Sequence, residues 1–133
     1  MALWTACDLT RPWNDPHRDV DRKVAHDPDG FLVLDDDGEI VGSVMVGYDG
    51  HRGWVNYLAT APSRRRHGLG RWLVAEAERR LDGLGCPKVN LQIRASNAGV
   101  VDFYRRLGYD LDDAVSMGKR LESDEVRPPG PDA

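Results

Sequence analysis

The chain has 133 residues, the usual size of one domain and long enough to bury a core without metal or disulfide staples. With 41% hydrophobic and 30% charged residues it has the composition of a soluble globular protein, and no apolar run nears the roughly 20 residues of a membrane-spanning helix. Eighteen basic residues against 22 acidic ones leave a formal charge of −4, which excludes broad, unspecific nucleic-acid binding by the whole surface.

Leu3 to Leu9 carries apolar residues at helical spacing and reads as the tail of a helix. This opening stretch has no basic flank and breaks off at Asp8, so it is no secretory leader, and a cytoplasmic protein is expected. Arg11 to Pro16 is a loop. Asp15 followed by Pro16 is a helix start, an acceptor side chain at the N-cap before proline at the first helical position. That helix is expected to reach about His26, with Val20 and Val24 on its buried side, and Asp27-Pro-Asp-Gly30 ends it.

Phe31 to Leu34 and Ile40 to Tyr48 are β-rich runs joined by Asp35-Asp-Asp-Gly38, a hairpin signal. After the turn Asp49 to Gly53, Trp54 to Thr60 completes an antiparallel meander. From Leu69 the apolar positions Leu69, Trp72, Leu73, Ala77, Leu81 and Leu84 recur at three and four, giving the clearest amphipathic helix of the chain. Gly83, Gly85 and Pro87 stop it. Val89, Leu91 and Ile93 alternate with Asn90, Gln92 and Arg94, a strand with one wet face. Ser96 or Asn97 caps a further helix through Leu107, closed by Gly108. Tyr109 to Leu111 and Val115 to Met117 read as short late strands. Residues 1–122 thus form one domain, and the proline-rich tail Ser123 to Ala133 is expected to be disordered.

Cys7 and Cys86 have no neighbouring ligands, and the four histidines show no metal-binding spacing, so neither a disulfide framework nor a metal site is expected. The informative segment is Ala61-Pro-Ser-Arg-Arg-Arg-His-Gly-Leu-Gly70, between a strand and the best helix. A glycine-containing loop there leaves N–H groups free at the positive end of the helix dipole, which suits an anion such as a pyrophosphate. No Gly-Lys-Ser/Thr follows, so it is not a Walker loop. Leu73 stands where the third glycine of a dinucleotide fingerprint belongs.

The motif Arg65-x-x-Gly68-x-Gly70 resembles the coenzyme A pyrophosphate loop of the GCN5-related N-acetyltransferases, the GNAT family. Asn97 followed by Phe103-Tyr104-Arg105-Arg106-Leu107-Gly108-Tyr109 is similar to that family's later signature. Arg11-Pro-Trp-Asn-Asp-Pro16, Gly47-Tyr-Asp-Gly-His-Arg-Gly53, Cys86-Pro-Lys88 and Ser116-Met-Gly-Lys-Arg-Leu121 resemble its bacterial YpeA group. The implied fold is α/β, a mixed, mostly antiparallel twisted sheet with helices on both faces and a splay between the central parallel strands. Family members begin with a strand and a full first helix, whereas this chain opens inside that helix. The first strand is therefore expected to be missing, which leaves a strand edge unpaired.

The resemblance implies an acetyl-CoA-dependent N-acetyltransferase in which a primary amine attacks the thioester directly in a ternary complex, without a metal. It assigns the backbone of Leu58 and Thr60 to the pantetheine arm and the loop Arg65, Arg66, His67, Gly68, Leu69, Gly70 and Arg71 to the pyrophosphate. The N–H near Leu58 polarises the thioester carbonyl. Tyr104 is the general acid to the leaving thiolate, and Asn97 orders the arm or the helix of Tyr104.

Blander roles stand beside these. Tyr104 is also a packing residue, Asn97 an N-cap, and Arg64-Arg65-Arg66 either a nucleic-acid patch or phosphate neutralisation. Trp54 to Thr60 holds no carboxylate, so Tyr57, Asn56, His51 and Asp49 are the candidate bases, unless the amine arrives neutral and needs none. The loop Arg11 to Pro16 either lines the acceptor pocket, with Asn14 or Asp15 recognising the amine, or merely starts a helix with Trp13 packed. The rival reading is a catalytically inactive acyl-CoA-binding or protein-interaction module of the same fold, and a third is an unrelated nucleotide-binding domain. The acceptor is a small-molecule or protein amine. Neither nucleic acid nor membrane is an expected partner, while an open sheet edge favours a homodimer.

Overall fold

In the computed structural model, which describes residues 1–7 and 9–124, the strand β2 (Glu39–Tyr48) is buried without a break from Val41 to Val46. Successive strand residues point to opposite faces, so such a run needs cover on both sides. On one side Val44 and Val46, with Val55 of β3 (Gly53–Thr60), meet Leu73, Ala77 and Leu81 of α3 (Leu69–Gly83). On the other side Val41 and Met45 pack with Ala59, Ala61 and the pair Leu3 and Trp4 of α1 (Ala2–Ala6). With β1 (Phe31–Asp36) and β4 (Val89–Leu91) the order is β1-β2-β3-β4, antiparallel except for the parallel β3–β4 pair. The mixed, mostly antiparallel sheet with helices on both faces is as the sequence implied.

Local chemistry sets the element ends. Asp15 Oδ1 accepts the His17 N–H at 2.9 Å and starts α2 (Pro16–His26). Asp37 and Gly38 take positive φ of 52° and 89°, which gives the β1–β2 hairpin its primed turn. The last helix, α4 (Ala98–Arg106), gives way to Gly108 at φ 96°. Val24, Trp72 and Leu84 depart from the expected apolar faces and are about half exposed, because α3 buries only the narrower stripe of Leu73, Val74, Ala77 and Leu81, and α2 buries no residue fully. Among the described residues no helix is long and apolar enough to cross a membrane.

Two expectations are corrected. The late strands Tyr109 to Leu111 and Val115 to Met117 do not form. Nothing covers this segment, where Leu111 is 71% exposed and Val115, Met117 and Leu121 are at least 90% exposed. Past Tyr109, whose N–H bonds the Tyr104 carbonyl at 3.1 Å, its tethers to the sheet are side-chain bonds, Lys88 to Asp112 at 2.8 Å and Gln92 to Ser116. The parallel pair therefore closes the sheet at one end instead of running through its centre. Of the tail expected to be disordered from Ser123 onward, Asp124 has its buried carboxylate paired with Arg22 at 2.6 Å. The remainder of that expectation, residues 125–133, lies outside the described residues.

One irregularity positions everything that follows. Ser43 opposes Ala59 while Met45 opposes Asn56, so Tyr57 and Leu58 together face the single residue Val44. This is a β-bulge, with Tyr57 in the left-handed region at φ 52°. Ser43, 2% exposed, donates its hydroxyl to the Tyr57 carbonyl at 3.0 Å and accepts the Trp4 indole N–H at 2.9 Å. Trp4 stacks on the Tyr57 ring with centroids 4.0 Å apart. Ser43→Ala leaves a buried donor and a buried acceptor without partners. It is expected to lower stability by about 1–3 kcal/mol in urea unfolding, and an unchanged midpoint would show the bulge to be held by other means.

Candidate active site

The parallel pairing of β3 and β4 covers only Gly53 with Val89, Trp54 with Asn90 and Val55 with Leu91. Beyond it β3 runs on to Thr60 along β2, while residues 92–94 leave the sheet. The backbone on the β4 side of β3 from Asn56 onward thus faces no strand, and such groups must find partners in a ligand or in water. The expected splay is present, and the Tyr57–Leu58 bulge lies in the stretch it exposes.

Past Ala61 the chain makes a short 3₁₀ turn, Pro62–Arg64, in which the Arg64 N–H bonds the Ala61 carbonyl at 2.8 Å. Arg64 turns back to the β1–β2 hairpin and pairs with Asp36 at 2.6 Å. Arg66 and Gly68 then take positive φ of 70° and 75°. Gly68 is the N-cap of α3 and offers no side chain to its amides. Among the described residues the N–H groups of Arg66, His67, Gly68, Leu69, Gly70 and Arg71 have no acceptor, and the first bonded amide is that of Trp72, on the Gly68 carbonyl at 3.0 Å. Six consecutive free donors at a helix N-terminus make an anion cradle. A Cβ on Gly68 would point into open space, whereas one on Gly70 would lie 3.2 Å from Phe103 Cζ and 3.8 Å from Thr60 Cγ2. The loop, the end of β3 and α4 therefore meet at Gly70. Arg65, Arg66, His67 and Arg71 are exposed around the cradle.

Of the other expected site residues, Leu58 and Thr60 are half-buried on the splayed part of β3, and the Thr60 carbonyl accepts the Cys7 thiol at 3.1 Å. Asn97 precedes α4 but makes no side-chain cap, so its amide is free of the structural duty that could have explained it. Tyr104 is buried, 6% exposed, edge-on to Phe103 and Tyr109 at 5.1 and 5.4 Å. Its hydroxyl has no hydrogen-bond partner among the described residues, and burial pushes the phenol well above its ordinary value, keeping it a neutral proton donor.

The candidate bases separate by position. Asp49 accepts the N–H groups of His51 and Arg52 at 2.8 and 2.7 Å, bonds that hold its carboxyl below the usual range. It and His51 sit in the turn before the laddered end of β3, away from the splay, and are discarded as bases. Asn56 is exposed where the ladder ends. Tyr57 lies in the bulge, where its hydroxyl donates to Asp19 Oδ2 at 2.5 Å and accepts from Asn14 Nδ2 at 2.8 Å. Burial, then the bond to Asp19, raises this phenol too.

Asp19 escaped the sequence reading because it is one more polar residue on a helix. Its only local signal is its place one turn after Asp15. Asn14 Oδ1 in turn accepts from Arg120 Nη2 at 2.7 Å, and Asp124 accepts the Asp15 N–H at 3.1 Å while pairing with Arg22, Arg18 and Arg120. The α1–α2 loop is thus clamped from both sides. Trp13 at its tip is stacked under the Arg94 guanidinium, 5.9 Å from the ring centre. Among the described residues no group of three or more His, Cys, Asp or Glu side chains is arranged to hold a metal.

Residues 1–109 match the model of the acetyltransferase (GNAT) family. An acetyltransferase of Pectobacterium atrosepticum is 49% identical over 124 residues, 93% of this chain and 88% of its own. One of Sodalis glossinidius is 48% identical over 126 residues, 94% of this chain and 89% of its own. Among solved structures, Ard1 from Thermoplasma volcanium is similar with a TM-score of 0.70 at 21% identity, over 84% of this chain and 74% of that one. Glucosamine-6-phosphate N-acetyltransferase from Arabidopsis thaliana reaches 0.62 at 22% identity, over 91% and 88%. At these identities the structural likeness concerns the fold.

The Asp124 clamp gives the loop a pH signature. Hydrogen bonds from Arg22 and from the Asp15 N–H hold the Asp124 carboxyl well below the usual carboxylate range. A depressed group contributes stability that is present above its unfolded value, about 4, and lost as the pH falls through the folded value. Asp124→Asn is therefore expected to melt several degrees below wild type at neutral pH, with the gap narrowing below about pH 4. Thermal melts across that range check this, and a constant gap would contradict it.

Proposed function

This chain belongs to the acetyltransferase (GNAT) family, and we propose that it is an N-acetyltransferase that moves the acetyl group of acetyl-CoA to a primary amine. The observation that carries this is the row of six free amides from Arg66 to Arg71, set where β3 and β4 part. A cradle of main-chain donors with no side chain over Gly68 fits a diphosphate, and the unpaired edge of β3 beside it fits an extended, amide-bearing arm. When bound, acetyl-CoA supplies a thioester whose carbonyl carbon is the electrophile.

The chain's residues divide the work as follows. The amides of Arg66 to Arg71 bind the diphosphate, with the side chains of Arg65, Arg66, His67 and Arg71 adding positive charge around it. The backbone of Leu58 and Thr60 lines the arm, and the Leu58 N–H draws on the carbonyl oxygen as charge builds there. Asn97, unused as a cap, steadies the arm. Tyr104, neutral and without a competing acceptor, gives its proton to the departing sulfur. No thiol is set up as a nucleophile, since Cys7 donates to the Thr60 carbonyl and Cys86 to that of Lys88 at 3.2 Å, which supports direct attack by the amine.

Two variants test this. Gly68→Leu places a side chain over the cradle at a left-handed position, and calorimetry should show acetyl-CoA affinity falling at least about tenfold, or roughly 1.4 kcal/mol. Unaltered affinity would remove the loop from the binding site. Tyr104→Phe should leave that affinity nearly intact while lowering turnover about 10²-fold, as loss of a general acid does. Equal turnover would take Tyr104 out of the reaction.

A further inference from the structure

We propose that Tyr57 and Asp19 relay the proton that the acceptor amine releases, with Asn14 holding the pair in place. The proposal rests on the acetyl-transfer reading above and names the base that reading leaves open. β3 carries no carboxylate of its own. The fold brings one to it from α2, through the bulge residue Tyr57, whose hydroxyl meets Asp19 Oδ2 at 2.5 Å. Tyr57 precedes Leu58 in the bulge, and its side chain reaches the loop between α1 and α2 at Asn14.

The valences allow the step. A phenol oxygen has one proton and two lone pairs. The proton is on the bond to Asp19 and Asn14 Nδ2 occupies one lone pair, which leaves the other for an incoming N–H. Donation to a carboxylate makes that oxygen a better acceptor. Arg120 Nη2 bonds Asn14 Oδ1 and so fixes which end of the amide faces Tyr57. The charges facing the pair are Arg22 and Arg18 on α2, Asp15 at its cap, and Arg120 and Asp124 beyond the sheet. Arg18, Arg22 and Arg120 all pair with Asp124, and Arg22 also reaches Asp19 at 3.3 Å.

The balance closes. The lone pair of a neutral amine forms the C–N bond as the C–S bond breaks. The N–H proton passes to Tyr57 Oη, the phenolic proton passes to Asp19 Oδ2, and the departing sulfur takes the proton of Tyr104. Water carries the proton from Asp19 back to Tyr104, and the sum is an amide and a free thiol. Tyr57 is the catalytic residue of the relay and Asp19 a positioning and proton-accepting residue behind it.

Two readouts test it. In protein labelled with ¹³Cζ-tyrosine, the Tyr57 resonance is deshielded by donation to a carboxylate. Asp19→Asn should move it upfield at neutral pH without any ligand, and an unmoved resonance overturns the coupling. In thiol-release assays with the fastest of tyramine, spermidine and an alanine-headed tetrapeptide, Tyr57→Phe and Asp19→Asn should each lower kcat about 10²-fold with KM for acetyl-CoA nearly unchanged. The loss should shrink with p-anisidine, whose weakly basic nitrogen sheds its proton with less help. Both variants are near-isosteric, and Tyr57→Phe keeps the ring on Trp4. Equal losses on both classes of amine, or none, overturn the relay while acetyl transfer stands. A wild type that binds acetyl-CoA but acetylates nothing in the panel leaves no proton to carry and overturns it too. Only a wild type that fails to bind acetyl-CoA strikes at the underlying reading.

Discussion

Main-chain amides and carbonyls taken out of water must be bonded, at a cost of about 1–3 kcal/mol for each buried one that is not. β3 is where the molecule meets this constraint unevenly. The bulge at Tyr57 and Leu58 breaks its ladder with β2, and the early end of β4 strips its other side. The first break is answered from within, by the Ser43 hydroxyl on the Tyr57 carbonyl. The second is left to solvent or ligand, and it runs straight into a loop with six more free donors. One stretch of backbone is thus sealed on the α1 side and open on the β4 side.

The seal ties distant parts of the chain to the bulge. Trp4 covers Tyr57 and shares Ser43 with it. Asn14 and Asp19 hold the Tyr57 hydroxyl, and Arg120 and Asp124 hold the segment that carries Asn14 and Asp15. These are directional bonds, added to the apolar packing of Leu3 and Trp4 against β2 and β3. Polar bonds give the bulge its geometry, and the hydrophobic layers around β2 give the sheet its stability.

The parts of this arrangement that rest on neighbours in sequence could be read from the sequence. Asp15-Pro16 starts α2, Asp37-Gly38 turns the hairpin, and the three-and-four spacing from Leu69 lays down α3. In each, the deciding contact lies within a few residues. The cradle was legible for the same reason, since a glycine at an N-cap with φ above zero is a local fact. Ser43 answering Tyr57, Asp19 reaching the same residue 38 positions on, and Asp124 locking Arg22 from 102 positions away have no local signature. The late strands failed in the opposite sense. Tyr109 to Leu111 and Val115 to Met117 have the residue types of strands, but a run that short becomes a strand only when a neighbouring strand's backbone accepts it, and here the Lys88 and Gln92 side chains reach across instead.

The arginines show how an acidic protein keeps a basic site. Arg64 is spent on Asp36, and Arg18, Arg22 and Arg120 converge on the buried Asp124, with Asp15, Asp19 and Glu122 also paired to them, so four guanidinium groups stand among carboxylates. Arg65, Arg66 and Arg71 make no ion pair among the described residues and lie exposed along the amide cradle. The net charge of −4 therefore hides a division by place, with unpaired positive charge around the amide cradle and paired charge beside Tyr57. A field of this shape favours an anion at the exposed arginines of the cradle. At the other end the Asp19 carboxylate is met by the Tyr57 hydroxyl and by Arg22. The two arrangements meet on a single strand, β3, where Tyr57 faces the paired charges and Thr60 leads into the cradle.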